Sequence, residues 1–411
     1  MKLNLLKKTA YFVAIAITVT ALAACGGDKA KDKEQNTEVT TEEESSGGGK
    51  INPNVTPMVS KAPEAADADN LKDVFAERFS MGVAVNSWQL ADSNTLDFIT
   101  KHYTSITMEN EMKPDYILDQ EASASAEDGM PVLKLDAVDN IMKMAEDAGL
   151  KMRGHTLIWH SQTPGWLFRV DYDEDGDYVD RETMLARMES YIKKVLTFCN
   201  EEHPGLVYAW DVCNETMNDS QYSGHRTDSP WYITIGEDYI EKAFEFARKY
   251  ADKDTKLFLN DYGITYGEKC KAIYEVATGL YEKGLLDGIG MQSHHDMENF
   301  NPDNLEAAIY KYAQLDGLEI QLTELDLHNN DNSSDSMQKQ AELYKQLFDV
   351  IVKLDAEEMA NVTNVTFWGL NDSTTWLTGF RKETSYPLLF DAGNNPKPCY
   401  YSVIESVKEY Q

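Results

Sequence analysis

The sequence has few cysteines and few basic residues. Its five cysteines form no CxxC pair and show no spacing typical of metal ligands. Cys199, Cys213, Cys270 and Cys399 are widely separated, and we expect buried free thiols without disulfides. Lys and Arg number 38 against 70 Asp and Glu, which gives a net charge of -32. Because such an acidic chain repels phosphate backbones, we do not expect nucleic acid as a partner.

Long hydrophobic runs are also lacking. The longest uncharged stretch near the N-terminus, Thr9–Ala24, follows Lys2, Lys7 and Lys8 and is too short to span a bilayer comfortably. This pattern predicts an export signal. The stretch ends in LAAC, which resembles the lipobox of bacterial lipoproteins and implies acylation of Cys25. An ordinary signal peptide that happens to end near a cysteine is the alternative.

The composition divides the chain into three predicted regions. Residues 1–24 are the signal peptide. Residues 25–66 consist mainly of Lys, Glu, Thr, Ser, Gly and Pro, which predicts a flexible, lipid-anchored linker. Residues 67–411 form one folded domain. We therefore predict a secreted protein on the bacterial cell surface, with the lipid on Cys25 as its only membrane contact and a monomer as its state.

Short apolar runs alternate with amphipathic stretches along residues 67–411. We predict strands at 79–85, 105–108, 151–160, 207–212, 256–260, 288–293, 319–325 and 362–368, each followed by a helical pattern. Eight strand–helix units close naturally into a (β/α)8 TIM barrel, the predicted α/β fold. An open doubly wound sheet is the alternative, but no glycine-rich phosphate turn follows any of these strands.

Polar residues cluster where these predicted strands end, which is where a barrel carries its chemistry. Glu215 and Glu324 follow the fourth and seventh strands, on roughly opposite sides of the ring. Hydrolysis of a glycosidic bond requires one carboxylic acid and one carboxylate placed in this way. A glutamate after a strand is otherwise an ordinary solvated residue, so the surrounding motifs decide between the two interpretations.

The motifs WDVCNE and QLTELD resemble the acid/base and nucleophile signatures of glycoside hydrolase family 10, the retaining endo-xylanases. MENEMK, GHTLIWHSQTPGW, GIGMQSH and FWGLNDSTTWL resemble the family's motifs at four other strands, in the same order, and the likeness covers residues 70–411. The resemblance implies that Glu215 is the general acid/base and Glu324 the nucleophile of an endo-1,4-β-xylanase that needs no metal and no cofactor.

The resemblance also implies a set of substrate-binding residues: Glu109, Asn110, Lys113, His155, Trp159, Asn214, Tyr262, Gln292, His294, Asp326, Trp368 and Trp376. Asn214 would contact the sugar 2-hydroxyl, and His294, held by Asp326, would orient Glu324. Three residues have simpler alternatives: Asn214 as a capping amide, His294 as a buried histidine and Tyr262 as core packing.

Other functions remain as alternatives. A related barrel hydrolase could prefer cellulose or mixed β-glucan, and a lipoprotein that binds oligosaccharides would share the lipobox and the aromatic residues. A metal site at His294, His295 and Asp296 is disfavoured because adjacent strand residues point to opposite faces. Met108, Pro114 and Gly263 depart from the family pattern, so we expect differences in subsite shape.

Overall fold

The computed structural model describes residues 70–220, 224–408 and 410. The predicted signal peptide, the predicted linker and Cys25 lie outside these residues, as do positions 67–69 of the predicted catalytic domain. No helix within the described ranges is long and apolar enough to cross a membrane.

Eight parallel strands form a closed ring, which confirms the predicted (β/α)8 barrel. They are β1 (Ser80–Val85), β2 (Ser105–Met108), β3 (Lys151–Gly154), β4 (Val207–Asn214), β5 (Lys256–Asp261), β6 (Gly288–Met291), β7 (Glu319–His328) and β8 (Asn361–Phe367). Each pairs with the next in chain order. The ring closes where β8 pairs with β1, with Ser80 opposite Asn364. A closed ring excludes the open doubly wound sheet.

A helix follows each strand and covers the outside of the ring. These helices are Ser93–His102, Asp136–Asp147, Arg181–Glu202, Tyr239–Tyr250, Gly267–Glu282, Pro302–Tyr312, Ser334–Ala356 and Pro398–Lys408. Shorter helices lie at Leu71–Val74, Ser87–Ala91, Pro114–Ile117, Gln120–Ala124, Pro230–Ile235 and Leu377–Arg381, with 3-10 turns at Gly165–Phe168 and Val170–Tyr172. Side chains of Asp92, Asp180, Asn301 and Ser333 cap four of these helices by accepting backbone N–H groups.

The third strand differs from its prediction. We expected one strand over residues 151–160, but β3 ends at Gly154 and a separate short strand, Ile158–Trp159, pairs with β4. Between them, the Thr156 hydroxyl and the Leu157 amide both donate to the Asp211 carbonyl, at 2.8 and 3.0 Å. A regular parallel ladder does not direct two donors from adjacent residues to one carbonyl. Side chains from His155 to Trp159 therefore do not alternate strictly between the two faces of the sheet.

Small residues inside the ring make room for large ones. A Cβ at Gly154 would lie 2.3 Å from the ring of Trp210, which is itself 1% exposed. Glycine is therefore the residue that fits at the end of β3. The packed interior lies below the C-terminal ends of the strands. The candidate site residues lie at those ends.

Three further short strands lie in the loops at the C-terminal end of the barrel. His294–Asp296 continues the direction of β6 and pairs with β7. An antiparallel pair, Leu118–Asp119 with Val132–Leu133, lies in the loop after β2. The four cysteines that we expected to be free thiols are buried and unpaired.

Candidate active site

Glu324 lies in β7 and is 5% exposed. Its Oε1 accepts a hydrogen bond from Asn260 Nδ2 at 2.8 Å, and its Oε2 lies 3.2 Å from His294 Nε2. Burial alone would raise the pKa of this carboxyl. The imidazoles of His155 and His294 and the amide of Asn260 together outweigh burial and lower the pKa of Glu324 to about 2. Glu324 is therefore ionised at any ordinary pH, as its predicted role of nucleophile requires.

His294 connects Glu324 to a second buried carboxylate. Its Nδ1 lies 3.0 Å from Asp326 Oδ2, and Trp376 Nε1 donates to the same oxygen at 2.9 Å. Burial disfavours a charged imidazole, but Asp326 and Glu324 together raise the pKa of His294 to about 10. The predicted chain from Asp326 through His294 to Glu324 is present, with a positive charge in its middle.

Glu215 directly follows β4, and its backbone has a φ of 55°. This left-handed conformation is uncommon for a residue with a side chain, and such residues cluster at functional sites. The Glu215 side chain is 15% exposed, and its Oε1 accepts from Gln292 Nε2 at 3.2 Å. His160 Nε2 lies 3.9 Å from the other carboxyl oxygen. Glu215 is thus fixed in place yet open to the cleft.

Three amides join the two glutamates. Asn214 Oδ1 accepts from Asn260 Nδ2 at 2.8 Å and from Gln292 Nε2 at 3.1 Å. Because Asn260 also contacts Glu324 and Gln292 also contacts Glu215, both carboxyl groups belong to one hydrogen-bond network. We call Asn214, Asn260 and Gln292 the amide bridge.

Asn214 and Gln292 were predicted from the sequence as site residues, whereas Asn260 was not. Thr323 Oγ1 donates to Asn260 Oδ1 at 2.6 Å, which fixes the orientation of this amide. Gly290 leaves the space that the Asn260 side chain occupies, since a Cβ there would lie 2.2 Å from Asn260 Oδ1. The available signal was the NDY run at the end of β5, from which only Tyr262 was taken.

The loop after β2 places Glu109, Asn110 and Lys113 together. Lys113 is 6% exposed, donates to Gln162 Oε1 at 2.8 Å and lies 4.9 Å from the centre of the Trp159 ring. Burial lowers the pKa of Lys113, and the negative charges of Glu324, Glu109 and Glu215 oppose this shift. Lys113 therefore lies within the electrostatic reach of both proposed catalytic carboxyls.

Glu109 is 6% exposed, and burial raises its pKa to about 7, against the opposing effects of Asn86 and Lys113. The carboxyl can therefore be protonated or ionised near neutral pH. Asn86 directly follows β1 and forms a hydrogen bond with Glu109, and Gln162 accepts one from Lys113. Neither Asn86 nor Gln162 was predicted from the sequence as a site residue.

His155 and Trp368 form a buried wall of the site. The two rings meet edge to face, with centroids 5.3 Å apart, and His155 Nδ1 lies 2.9 Å from Asp211 Oδ2. Arg153 makes a two-pronged ion pair with Asp211, in which Nη2 lies 2.6 Å from Oδ1. Arg153 and Asp211 were not predicted as site residues.

Tyr262 lies on the Glu215 side of the site. Its hydroxyl donates to Asp219 Oδ2 at 2.6 Å and accepts from Arg226 Nη2 at 3.2 Å. Arg226 also donates through Nε to the Glu215 backbone carbonyl at 3.1 Å. The structure thus brings all twelve predicted binding residues to the C-terminal end of the barrel, around two glutamates.

A closed parallel barrel that carries two carboxyl groups in one cleft has the groups that hydrolysis of a glycosidic bond requires. The family model described as glycosyl hydrolase family 10 matches residues 70–406. The chain belongs to this family.

Known relatives extend over most of the described barrel. Endo-1,4-beta-xylanase B of Butyrivibrio fibrisolvens is 41% identical over 341 residues, which are 82% of this chain and 53% of that protein. A putative endo-1,4-beta-xylanase of Caldicellulosiruptor saccharolyticus is 40% identical over 306 residues, 72% of this chain and 96% of that one. The chain therefore spans about half the length of the first relative and nearly all of the second.

A solved structure is also similar to this chain over most of its length. The CBM22-1–GH10 modules of endo-1,4-beta-D-xylanase 10B from Clostridium thermocellum, complexed with xylohexaose, superpose with a TM-score of 0.75 at 37% identity. The match covers 82% of this chain and 68% of that one.

The charge on His294 can be tested by replacing it with glutamine. H294Q removes the cation beside Glu324, so the pKa of Glu324 should rise from about 2 toward its ordinary 4.5. If Glu324 is the nucleophile that the sequence predicts, attack requires its ionised form, so the acid limb of the kcat/KM profile on a chromogenic aryl glycoside should move upward by about one pH unit or more.

H295Q is the matched control, because burial and the neighbouring charge of His294 lower the pKa of His295 to about 3 and keep its ring neutral. Its acid limb should not move. An unshifted limb in H294Q would show that His294 does not set the charge state of Glu324.

Proposed function

We propose that the protein is an endo-1,4-β-xylanase that cleaves internal bonds of xylan with retention of configuration. The observation that carries this proposal is the amide bridge, which holds Glu215 and Glu324 in one cleft of a family 10 barrel. The xylanase names of the relatives and the xylohexaose bound to the solved relative support it.

The reaction proceeds in two steps. Protonated Glu215 donates its proton to the departing glycosidic oxygen while ionised Glu324 attacks the anomeric carbon, so that the glycosidic bond breaks and a glycosyl ester forms. Glu215 then removes a proton from water, which attacks the same carbon and releases Glu324. Two inversions restore the β configuration, and the mechanism needs carboxyl groups roughly 5 to 5.5 Å apart.

Asn214 contributes at the neighbouring carbon of the sugar. Its Oδ1 is occupied by two donors, so its Nδ2 remains toward the cleft, 3.5 Å from Glu215 Oε1. A donor in this position can bind the sugar 2-hydroxyl, and that hydrogen bond strengthens as positive charge develops on the ring.

The shape of the cleft favours xylose over glucose. Lys113 lies over Trp159, while Trp376 packs against His294 with ring centroids 5.0 Å apart. Xylose lacks the hydroxymethyl arm of glucose, and side chains this close to the sugar crowd that arm. A related activity on cellulose or mixed β-glucan is the second candidate.

Substrate preference is measured by reducing-sugar release. The protein should release sugar from xylan at least about tenfold faster than from carboxymethylcellulose or mixed β-glucan, because crowding of one group costs about a factor of ten or more. Equal or faster release from the glucans would favour the second candidate instead. Analysis of early products tests for internal cleavage, which yields mixed oligosaccharides rather than a single short product.

Substitution of Glu324 and of Glu215 should reduce activity in different ways. E324A should lose at least about four orders of magnitude in kcat on every substrate, because the bond-forming group is gone. E215A should lose about 100-fold or more on xylan but far less on an aryl xyloside whose leaving group needs no proton. E319A, which alters a glutamate near the start of the same strand, serves as the control. Substantial xylanase activity in E324A would overturn the assignment.

We further propose that the enzyme is a monomer, secreted and held at the bacterial surface by a lipid on Cys25. The charged N-terminal segment, the apolar run and the LAAC sequence support this proposal, and a polar stretch of about 40 residues would let the barrel reach a polymer outside the cell.

The anchor is tested by C25S. The wild-type protein, expressed in a bacterium that processes lipoproteins, should fractionate with membranes and incorporate labelled fatty acid, whereas C25S should do neither. C199S, which alters a buried thiol, should behave like the wild type. Release of both wild type and C25S into the medium would support the ordinary signal peptide.

A further inference from the structure

We propose that Lys269 is a positioning residue for Glu215, because its ammonium group holds the loop that begins at Glu215 against β5. This inference rests on the proposed function, in which Glu215 donates a proton to the leaving group. Lys269 lies in the first turn of the helix Gly267–Glu282, and its side chain is only 10% exposed. A lysine this far buried requires paired carboxylates, because removing its charge from water is unfavourable.

The backbone around Glu215 is held from two sides. The Glu215 N–H donates to the Asn260 carbonyl of β5 at 2.9 Å, and the Glu215 carbonyl accepts from Arg226 Nε at 3.1 Å. Two residues further on, the Met217 N–H donates to Asp261 Oδ2 at 3.3 Å. A left-handed residue with a side chain persists only where its surroundings fix it, and φ is 55° at Glu215. The Asp261 carboxyl is therefore part of what directs the Glu215 side chain.

Asp261 depends on Lys269 for its charge. The Asp261 side chain is 0% exposed, and Lys269 Nζ lies 3.0 Å from its Oδ1. Burial raises the pKa of Asp261 to about 7, Lys269 opposes this shift, and the negative charge of Glu215 adds to it. Removal of Lys269 would therefore raise the pKa of Asp261 further and leave its carboxyl neutral at pH 7. A neutral carboxyl accepts a weaker hydrogen bond from Met217, so the loop would be held less firmly.

The same ammonium group also holds a second residue of the loop. Lys269 Nζ lies 2.9 Å from Asp219 Oδ1 and 3.5 Å from the centre of the Tyr262 ring. The other oxygen of Asp219 accepts from the Tyr262 hydroxyl at 2.6 Å. One cation thus joins Asp261 of β5 to Asp219 of the loop that begins at Glu215. The helix that carries Lys269 packs into the core, so a rigid element supports the cation.

Lys269 matters for one half of the proposed chemistry. Glu324 is held by Asn260 and His294 instead. Loss of the Lys269 cation should therefore misplace the proton donor while the nucleophile stays in position. A general acid must lie within hydrogen-bond reach of the leaving oxygen. A misplaced Glu215 should thus slow only those substrates whose leaving group needs a proton.

The test measures kcat/KM on two xylobiosides that differ only in their aryl leaving group. Phenol needs a proton to depart, whereas dinitrophenol does not. K269M should lower kcat/KM about ten- to hundredfold on the phenyl substrate but no more than about twofold on the dinitrophenyl one. The same folded molecules hydrolyse both substrates, so the ratio of the two values does not depend on how much of the variant folds. Displacement of Tyr262 alone would affect both aryl groups alike.

Three further variants accompany K269M. K269R keeps the positive charge and should restore most of the wild-type ratio. D219N removes the more exposed of the two partners and should change the ratio in the same direction by a smaller factor. K271M is the matched control, because Lys271 lies in the same helix but is 60% exposed and pairs with Glu268. Its ratio should equal that of the wild type.

An unchanged ratio in K269M, or an equal loss on both substrates, would overturn the positioning role. The proposed function fails in a different way. A ratio that stays at the wild-type value in E215A would show that Glu215 is not the acid/base, whatever the result for Lys269.

Discussion

A carboxylate must remain ionised in a cleft that excludes most water, and the arrangement of the other site residues follows from this constraint. Burial of Glu324 favours its neutral form, so the protein supplies an amide from Asn260 and the positive charge of His294. His294 holds that charge because Asp326 lies behind it. Asp326 is in turn 0% exposed and accepts from Trp376. Glu324 therefore requires the charge of His294 to stay ionised, and His294 requires Asp326 to hold that charge.

Alternation of side chains along a strand explains why the positions of some site residues could be predicted from the sequence. Glu324 and Asp326 share one face of β7, so both could be placed in the cleft without a structure. Asn260 lies in β5 and contacts Glu324 across β6, and no pattern within β5 specifies that partner. The break after Gly154 was also hidden, because it depends on hydrogen bonds to a carbonyl of β4.

The buried ion pair beside His155 is another contact between strands that could not be predicted from the sequence. Asp211 stands in the WDVCNE motif, yet its partner Arg153 lies on the neighbouring strand, where sequence alone suggested only a strand residue. Both are at most 1% exposed, so their desolvation is compensated only by close geometry. The pair holds the His155 imidazole against Trp368, and His155 in turn lowers the pKa of Glu324.

The two anions around His294 have different fates during the proposed reaction. Formation of the glycosyl ester removes the charge of Glu324, and with it one of the two groups that raise the pKa of His294. Asp326 does not take part in bond formation, and it keeps its hydrogen bond from Trp376. His294 therefore keeps a carboxylate partner in the second step, and its proton stays in place to stabilise Glu324 when water releases it. A lone histidine beside the nucleophile would lose its only counter-charge at that moment, which is why the second buried carboxylate is part of the mechanism.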